Sequence, residues 1–110
     1  VFRDFTHVSD IVTSIRLLTD KISSEHSGTH RIFNIGNGAP VSVQQYAELI
    51  ARNLDKPLHI QHAALPSNEL ESTYSDTSQL ENYIGYKPIC SIEQGIHEMT
   101  NWFKDYRYEE

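Results

Sequence analysis

Asp10 and Asp76 are the first residues to weigh as chemistry, because two carboxylates brought together can divide general-acid and general-base work. Both fall at helix starts: Ser9-Asp10 leads into an apolar run at helical spacing, and Asp76 precedes Leu80, Tyr83 and Ile84. Capping and the helix dipole account for a carboxylate there without any reaction. His59 with His62, and His26 with His30, have the spacing of metal-ligand pairs, but neither has a third ligand nearby in a convincing geometry, so no metal site is expected. Cys90 is the single cysteine; it has no partner for a disulfide and no basic or histidine neighbour in sequence to favour its thiolate. Gly36-Asn37-Gly38 follows a strand-like run, as a dinucleotide loop would. It lacks the third glycine and leads into Ala39-Pro40, so it reads as a turn. Asn34, at the end of that run, reads as a backbone clip.

The elements that would position these groups alternate between strand and helix. Phe2 to Val8 carries a short β signal, and the helix after Ser9-Asp10 sets Ile11, Val12, Ile15, Leu18 and Ile22 on a face that should be buried. A polar loop from Ser23 to Thr29 separates it from a compact strand over Arg31 to Gly36. Ser42 and Gln45 form a capping box ahead of Val43, Tyr46, Ala47, Ile50 and Leu54, with Pro57 as the stop. Leu58 and Ile60 suggest another strand, then Leu65 to Ser72 is a polar, acidic loop long enough to have a function. Thr73-Tyr74-Ser75 is strand-like, a short helix runs from Asp76 to Gly85, and a second capping box, Ser91 with Gln94, opens a helix striped by Ile92, Ile96, Met99, Phe103 and Tyr106. Trp102, Phe103, Tyr106 and Tyr108 would pack that helix down. The fold class is therefore α/β, with an incomplete small sheet and about four helices.

Bulk properties narrow the partners. The 110 residues form a single domain, and a net charge of −6 with scattered bases would repel a polyanion, which argues against nucleic acid. No apolar run approaches a membrane span and no signal peptide is visible, so a reducing, cytoplasmic setting is expected. The opening Val1-Phe2-Arg3-Asp4-Phe5-Thr6 has no methionine and reads as a cut.

Four phrases in order then resemble one family: Arg3-Asp4-Phe5-Thr6-His7-Val8-Ser9-Asp10-Ile11-Val12, Phe33-Asn34-Ile35-Gly36-Asn37, Thr73-Tyr74-Ser75-Asp76 with Ile84-Gly85-Tyr86-Lys87-Pro88, and Gly95-Ile96 through Asn101-Trp102-Phe103. Together they resemble the extended short-chain dehydrogenase/reductases, most closely the UDP-glucuronate 4-epimerase and related nucleotide-sugar epimerase branch. The resemblance implies the C-terminal subdomain of an enzyme whose N-terminal Rossmann domain, absent here, holds NAD on a Gly-x-x-Gly-x-x-Gly loop. That domain also carries a Tyr-x-x-x-Lys catalytic pair with a nearby Ser or Thr. No catalytic and no cofactor-binding residue is then expected in this chain, which alone should be inactive and bind no NAD. Its share would be one wall of a UDP-sugar pocket.

The same resemblance implies two site residues. Arg3 matches the arginine that contacts the substrate pyrophosphate, a task that suits its fork of donors. Glu69 stands where an acidic residue meets ribose hydroxyls. Two departures bear on that loop: Asn68 replaces the usual glycine, and Pro66 stands near a second phosphate-binding arginine of some relatives. Between Lys56 and Lys87 the bases are histidines only. The alternatives are a nucleotide-sugar dehydratase or reductase of the same family, and a stand-alone binding module without catalysis. Because Arg31 to Gly36 would lack its usual neighbours, a homodimer through exposed strand edges is also expected.

Overall fold

The computed structural model describes residues 1–25, 28 and 30–107. His26, Thr29 and Tyr108, on which parts of the sequence reading fall, lie outside the described residues.

The chain folds as β1 (Phe2–Arg3), α1 (Val8–Ser23), β2 (Val41–Ser42), α2 (Val43–Leu54), α3 (Ser78–Ile84) and α4 (Ile92–Arg107). Four helices and a two-stranded sheet match the expected class. β1 pairs antiparallel with β2, Phe2 opposite Ser42 and Arg3 opposite Val41. On its other side Phe2 forms a parallel bridge with Ser72, through Phe2 N–H to Glu71 C=O at 2.8 Å and Thr73 N–H to Phe2 C=O at 3.2 Å. The first residues therefore lie between two segments that are about 40 and 70 positions away in sequence. This small ladder is what carries Arg3 to its place.

Local signals set the helix ends. Ser42 Oγ accepts from Gln45 N–H at 3.0 Å to cap α2, and Ser91 Oγ accepts from Gln94 N–H at 3.1 Å at the start of α4. Gly85 ends α3 at φ +66, where a residue without Cβ carries no strain. Asp55 does the same for α2 at φ +53. Asp76 Oδ1 accepts from the N–H of Ser78 at 3.0 Å and its hydroxyl at 2.7 Å, just ahead of the N-cap Thr77. These two bonds hold its carboxyl below the ordinary range.

The start of α1 differs from the expectation. The cap is His7, whose ring nitrogen accepts from Ser9 N–H at 3.3 Å, and the helix begins at Val8. Asp10 is inside the first turn, 2% exposed, and does no capping. Its Oδ1 accepts from the Tyr86 hydroxyl at 2.6 Å and Ile89 N–H at 3.2 Å, and its Oδ2 from Cys90 N–H at 3.1 Å. A buried carboxylate thus ties α1 to the connection between α3 and α4. Only proximity in three dimensions could supply those donors, which lie about 80 residues downstream.

Of the expected strands, Phe2 to Val8 is cut to Phe2–Arg3, Thr73 to Ser75 gives way to a single bridge at Ser72, and two are not formed at all. Residues 31–36 and 58–63 adopt no ladder, and Ile32, Leu58 and Ile60 are exposed. Strand propensity is realised only when a neighbour supplies the other half of each hydrogen bond, and neither segment has one among the described residues. Of the two strands, only the two-residue β2 keeps a free edge for self-association, because β1 is bonded on both sides.

The apolar face of α1 is also only partly covered, with Ile11 and Leu18 half-buried. Val12, Ile15 and Ile22 are each half exposed or more, whereas the buried positions of this helix are Asp10 and Ser14. Among described residues, Leu80 and Ile96 are the only buried large hydrophobics. The radius of gyration is 17.5 Å, against about 13 Å for a compact domain of this length. A chain this open leaves much of its apolar surface in water.

Candidate functional site

Arg3 and Glu69, 66 positions apart, meet in space: Arg3 Nη2 lies 3.2 Å from Glu69 Oε2. Arg3 Nη1 donates to its neighbour's carbonyl, Phe2 C=O, at 2.8 Å. The guanidinium stands at the rim of a cleft of about 360 Å³ lined by Asp4, Asn34, Gly36, Thr73 and Tyr74 among others. Of the two site residues expected from the sequence, Arg3 lines this cleft and Glu69 reaches it through its contact with Arg3.

The floor of that cleft is stitched by Asp4, which the sequence reading did not single out although it adjoins Arg3. Asp4 Oδ2 accepts from Gly38 N–H at 2.9 Å and Ser75 N–H at 3.0 Å. Thr6 Oγ1 accepts from Asn37 N–H at 3.0 Å. Asn34 Nδ2 reaches the Asp76 carbonyl at 3.5 Å, a long contact in the clip role expected of it. Gly38 turns at φ +68. Gly36 is buried because its neighbours leave no room: a Cβ there would collide with Ser75 Cβ and lie 2.8 Å from Asp4 Oδ2. Gly36→Ala should therefore spread the cleft floor and cost about 1–3 kcal/mol of stability. Urea unfolding checks this, and an unchanged midpoint would show that the floor yields freely.

The Gly36-Asn37-Gly38 turn does not suit a dinucleotide. Phosphate-binding loops offer free backbone N–H groups to the anion, whereas here the N–H groups of Asn37 and Gly38 are already given to Thr6 and Asp4.

A literal Tyr-x-x-x-Lys spacing does occur, at Tyr83 and Lys87, which sequence reasoning passed over. An i, i+4 pair shares a face only on a continuous helix, and α3 ends at Ile84 with Gly85 left-handed. The Tyr83 ring instead stacks on Phe33 at 5.0 Å between centroids, with Lys21 and Arg31 over it at 5.2 and 4.9 Å. Burial and Glu25 push its hydroxyl up against an opposing pull from Arg31, the wrong direction for a catalytic base.

A larger concavity, about 550 Å³, lies away from Arg3. It is an apolar groove between the start of α1, Tyr46 of α2 (stacked on Phe5 at 3.8 Å) and Ile92, Ile96, Met99 and Trp102 of α4. His7 Nε2 contacts Glu98 Oε2 at 3.4 Å on its wall. With few polar groups converging on it, the groove resembles an uncovered packing face more than a site for a charged ligand. Cys90, also on that wall, is pushed up by burial, with Glu98 and Asp10 adding to it, so its thiol stays protonated and poorly reactive. His59 and His62 are exposed, and among described residues no three His, Cys, Asp or Glu side chains gather as metal ligands. No helix among these residues is long and apolar enough to cross a membrane.

No protein-family model matches the chain. Curated relatives do. An uncharacterised protein of Methanocaldococcus jannaschii is 36% identical over 92% of this chain, and UDP-glucuronate 4-epimerase 1 of Arabidopsis thaliana is 30% identical over 94%. The chain spans 29% and 26% of those two proteins. Among solved structures, the UDP-glucose 4-epimerase of Bifidobacterium longum in complex with NAD+ and UDP superposes on 96% of this chain with a TM-score of 0.83 at 20% identity, a likeness of fold. MoeE5, solved with UDP-glucuronic acid and NAD, superposes on 94% with a TM-score of 0.77 at 27% identity. The chain covers 30% and 33% of those structures. It is thus similar, over nearly its whole length, to about a third of a nucleotide-sugar epimerase.

Proposed function

We propose that this chain is the C-terminal, substrate-binding part of a cytoplasmic NAD-dependent nucleotide-sugar epimerase, and that it supplies one wall of the pocket for a UDP-sugar, UDP-glucuronate above all. The observation that carries the reading is the meeting of Glu69, at 3.2 Å, with Arg3, which lines a cleft. The two residues are remote in sequence and each is suited to a different part of a nucleoside diphosphate. The planar guanidinium pairs with pyrophosphate oxygens, and the carboxylate accepts from ribose hydroxyls.

In this reading the chain binds and orients, and the chemistry lies elsewhere. NAD, held by the remainder of the enzyme, would supply the hydride acceptor and donor for chemistry at the sugar. The residues of this chain hold the diphosphate while that happens, which keeps the sugar within reach and turns an encounter into an oriented one. The open shape and scant core of the described residues support a segment of a larger body over a stand-alone module.

The test is a titration with UDP-glucuronate and with UDP, following backbone amide resonances. Shifts confined to Arg3, Asn34 and residues 68–71 are expected. A well-dispersed spectrum with no shift at either segment would reject the pocket wall.

A further inference from the structure

Arg3 is already occupied. Its Nη1 is held by the Phe2 carbonyl at 2.8 Å, and its Nη2 by the Glu69 carboxylate at 3.2 Å. Glu69 thereby stands where one oxygen of a bound phosphate would sit, on a group whose geometry suits either anion. Resting on the reading of this cleft as a diphosphate site, we propose that Glu69 is an internal competitor for Arg3, a latch that the phosphate ligand must displace.

The surroundings are built for such an exchange. The base of the Glu69 loop is pinned to β1 by Phe2 N–H to Glu71 C=O and Thr73 N–H to Phe2 C=O. Its tip is a turn closed by Glu69 N–H to Pro66 C=O at 3.0 Å, and residues 66–70 are all exposed. The tip can move without disturbing the ladder. Arg3, only 27% exposed and tethered through Nη1, keeps its position when Nη2 is released, whereas the Glu69 side chain is 53% exposed and regains hydration on leaving. The exchange swaps one exposed anion for another with more charge and more acceptor oxygens, and it frees Glu69 to face a hydroxyl of the same ligand. The tip then closes over a nucleoside diphosphate but gains nothing from inorganic pyrophosphate, which offers no hydroxyl.

Inorganic pyrophosphate is therefore the probe that isolates the latch. Titrated by calorimetry, Glu69→Gln should bind it about three- to fivefold more tightly than the parent chain, the range that an exposed ion pair can withhold. Glu71→Gln removes the same charge two residues away without touching Arg3, and should change the affinity by less than twofold. Equal binding by parent and Glu69→Gln overturns the latch and leaves the pocket intact. An equal gain in Glu71→Gln overturns it too, because bulk charge would then be the cause. Absence of pyrophosphate binding in all three chains, with folded spectra, overturns both the latch and the diphosphate site.

Discussion

Asp10→Ala should unfold much of this chain, costing about 3 kcal/mol or more, the largest stability effect of any single side chain considered. Three donors, the Tyr86 hydroxyl and the N–H groups of Ile89 and Cys90, would lose their common acceptor in a buried place, and each unsatisfied buried donor costs about 1–3 kcal/mol. Domains are stable by only about 5–15 kcal/mol, and one whose described residues include two buried large hydrophobics has little in reserve. Asp10→Asn keeps one acceptor oxygen but turns an amide NH₂ toward other donors, so about 2 kcal/mol is expected. Urea unfolding followed by circular dichroism measures both. A loss below about 0.5 kcal/mol in the alanine variant would mean that the 86–90 connection is held by something else.

The same residue sets an acid limit. Burial by itself would raise the Asp10 carboxyl, but the bonds from Tyr86, Ile89 and Cys90, with His7 nearby, outweigh it and hold the carboxyl below its ordinary value. A group whose folded pKa is depressed stabilises fully above its unfolded value, about 3.9, and loses that contribution as pH falls through the folded value. Stability of the parent chain should accordingly fall away below about pH 4. In Asp10→Asn the slope in that window should be shallower, and equal slopes would assign the acid limit to other carboxylates. Tyr86, whose hydroxyl is raised by its bond to Asp10, carries the reciprocal sign: its contribution is present below about pH 10 and declines as pH rises through its folded value.

Arg3→Ala should leave stability nearly unchanged and cut affinity for UDP-glucuronate by about 10- to 100-fold, as hydrogen bonds to charged groups are worth about 1.5–3 kcal/mol each. The ion pair it loses is half exposed and contributes about 0–1 kcal/mol to folding. Arg3→Lys keeps the charge without the fork, and the affinity should fall by about tenfold. Calorimetric titration beside an unfolding curve separates the two quantities. Unaltered binding by the alanine variant would remove Arg3 from the pocket, and full retention by lysine would reduce its role to a point charge.

Much of the local structure was legible before the fold. Ser42, Ser91 and Gly85 mark helix ends because a cap is satisfied within three or four residues, so its signal lies entirely in nearby sequence. The helices α2 and α4 follow from apolar spacing for the same reason. What misled were inferences of strands and covered faces, which require a neighbour. Arg31 to Gly36 and Leu58 to Ile60 have the composition of strands and no partner to pair with among the described residues, and the apolar face of α1 is only partly covered. The Tyr83 and Lys87 spacing looks like a pair on paper and is parted by one left-handed glycine.

The amino-acid sequence by itself determined the four helices and the turns, and its resemblance to nucleotide-sugar epimerases singled out Arg3 and Glu69. Only the tertiary structure decided that those two residues touch, that Asp4 ties the cleft floor together, and that Asp10 is a buried anchor where capping was expected. The division has one physical cause. Capping and periodicity are short-range and can be read from a window of residues, whereas a carboxylate's role is set by whichever donors surround it, and the folded backbone brings those from 30 to 80 positions away.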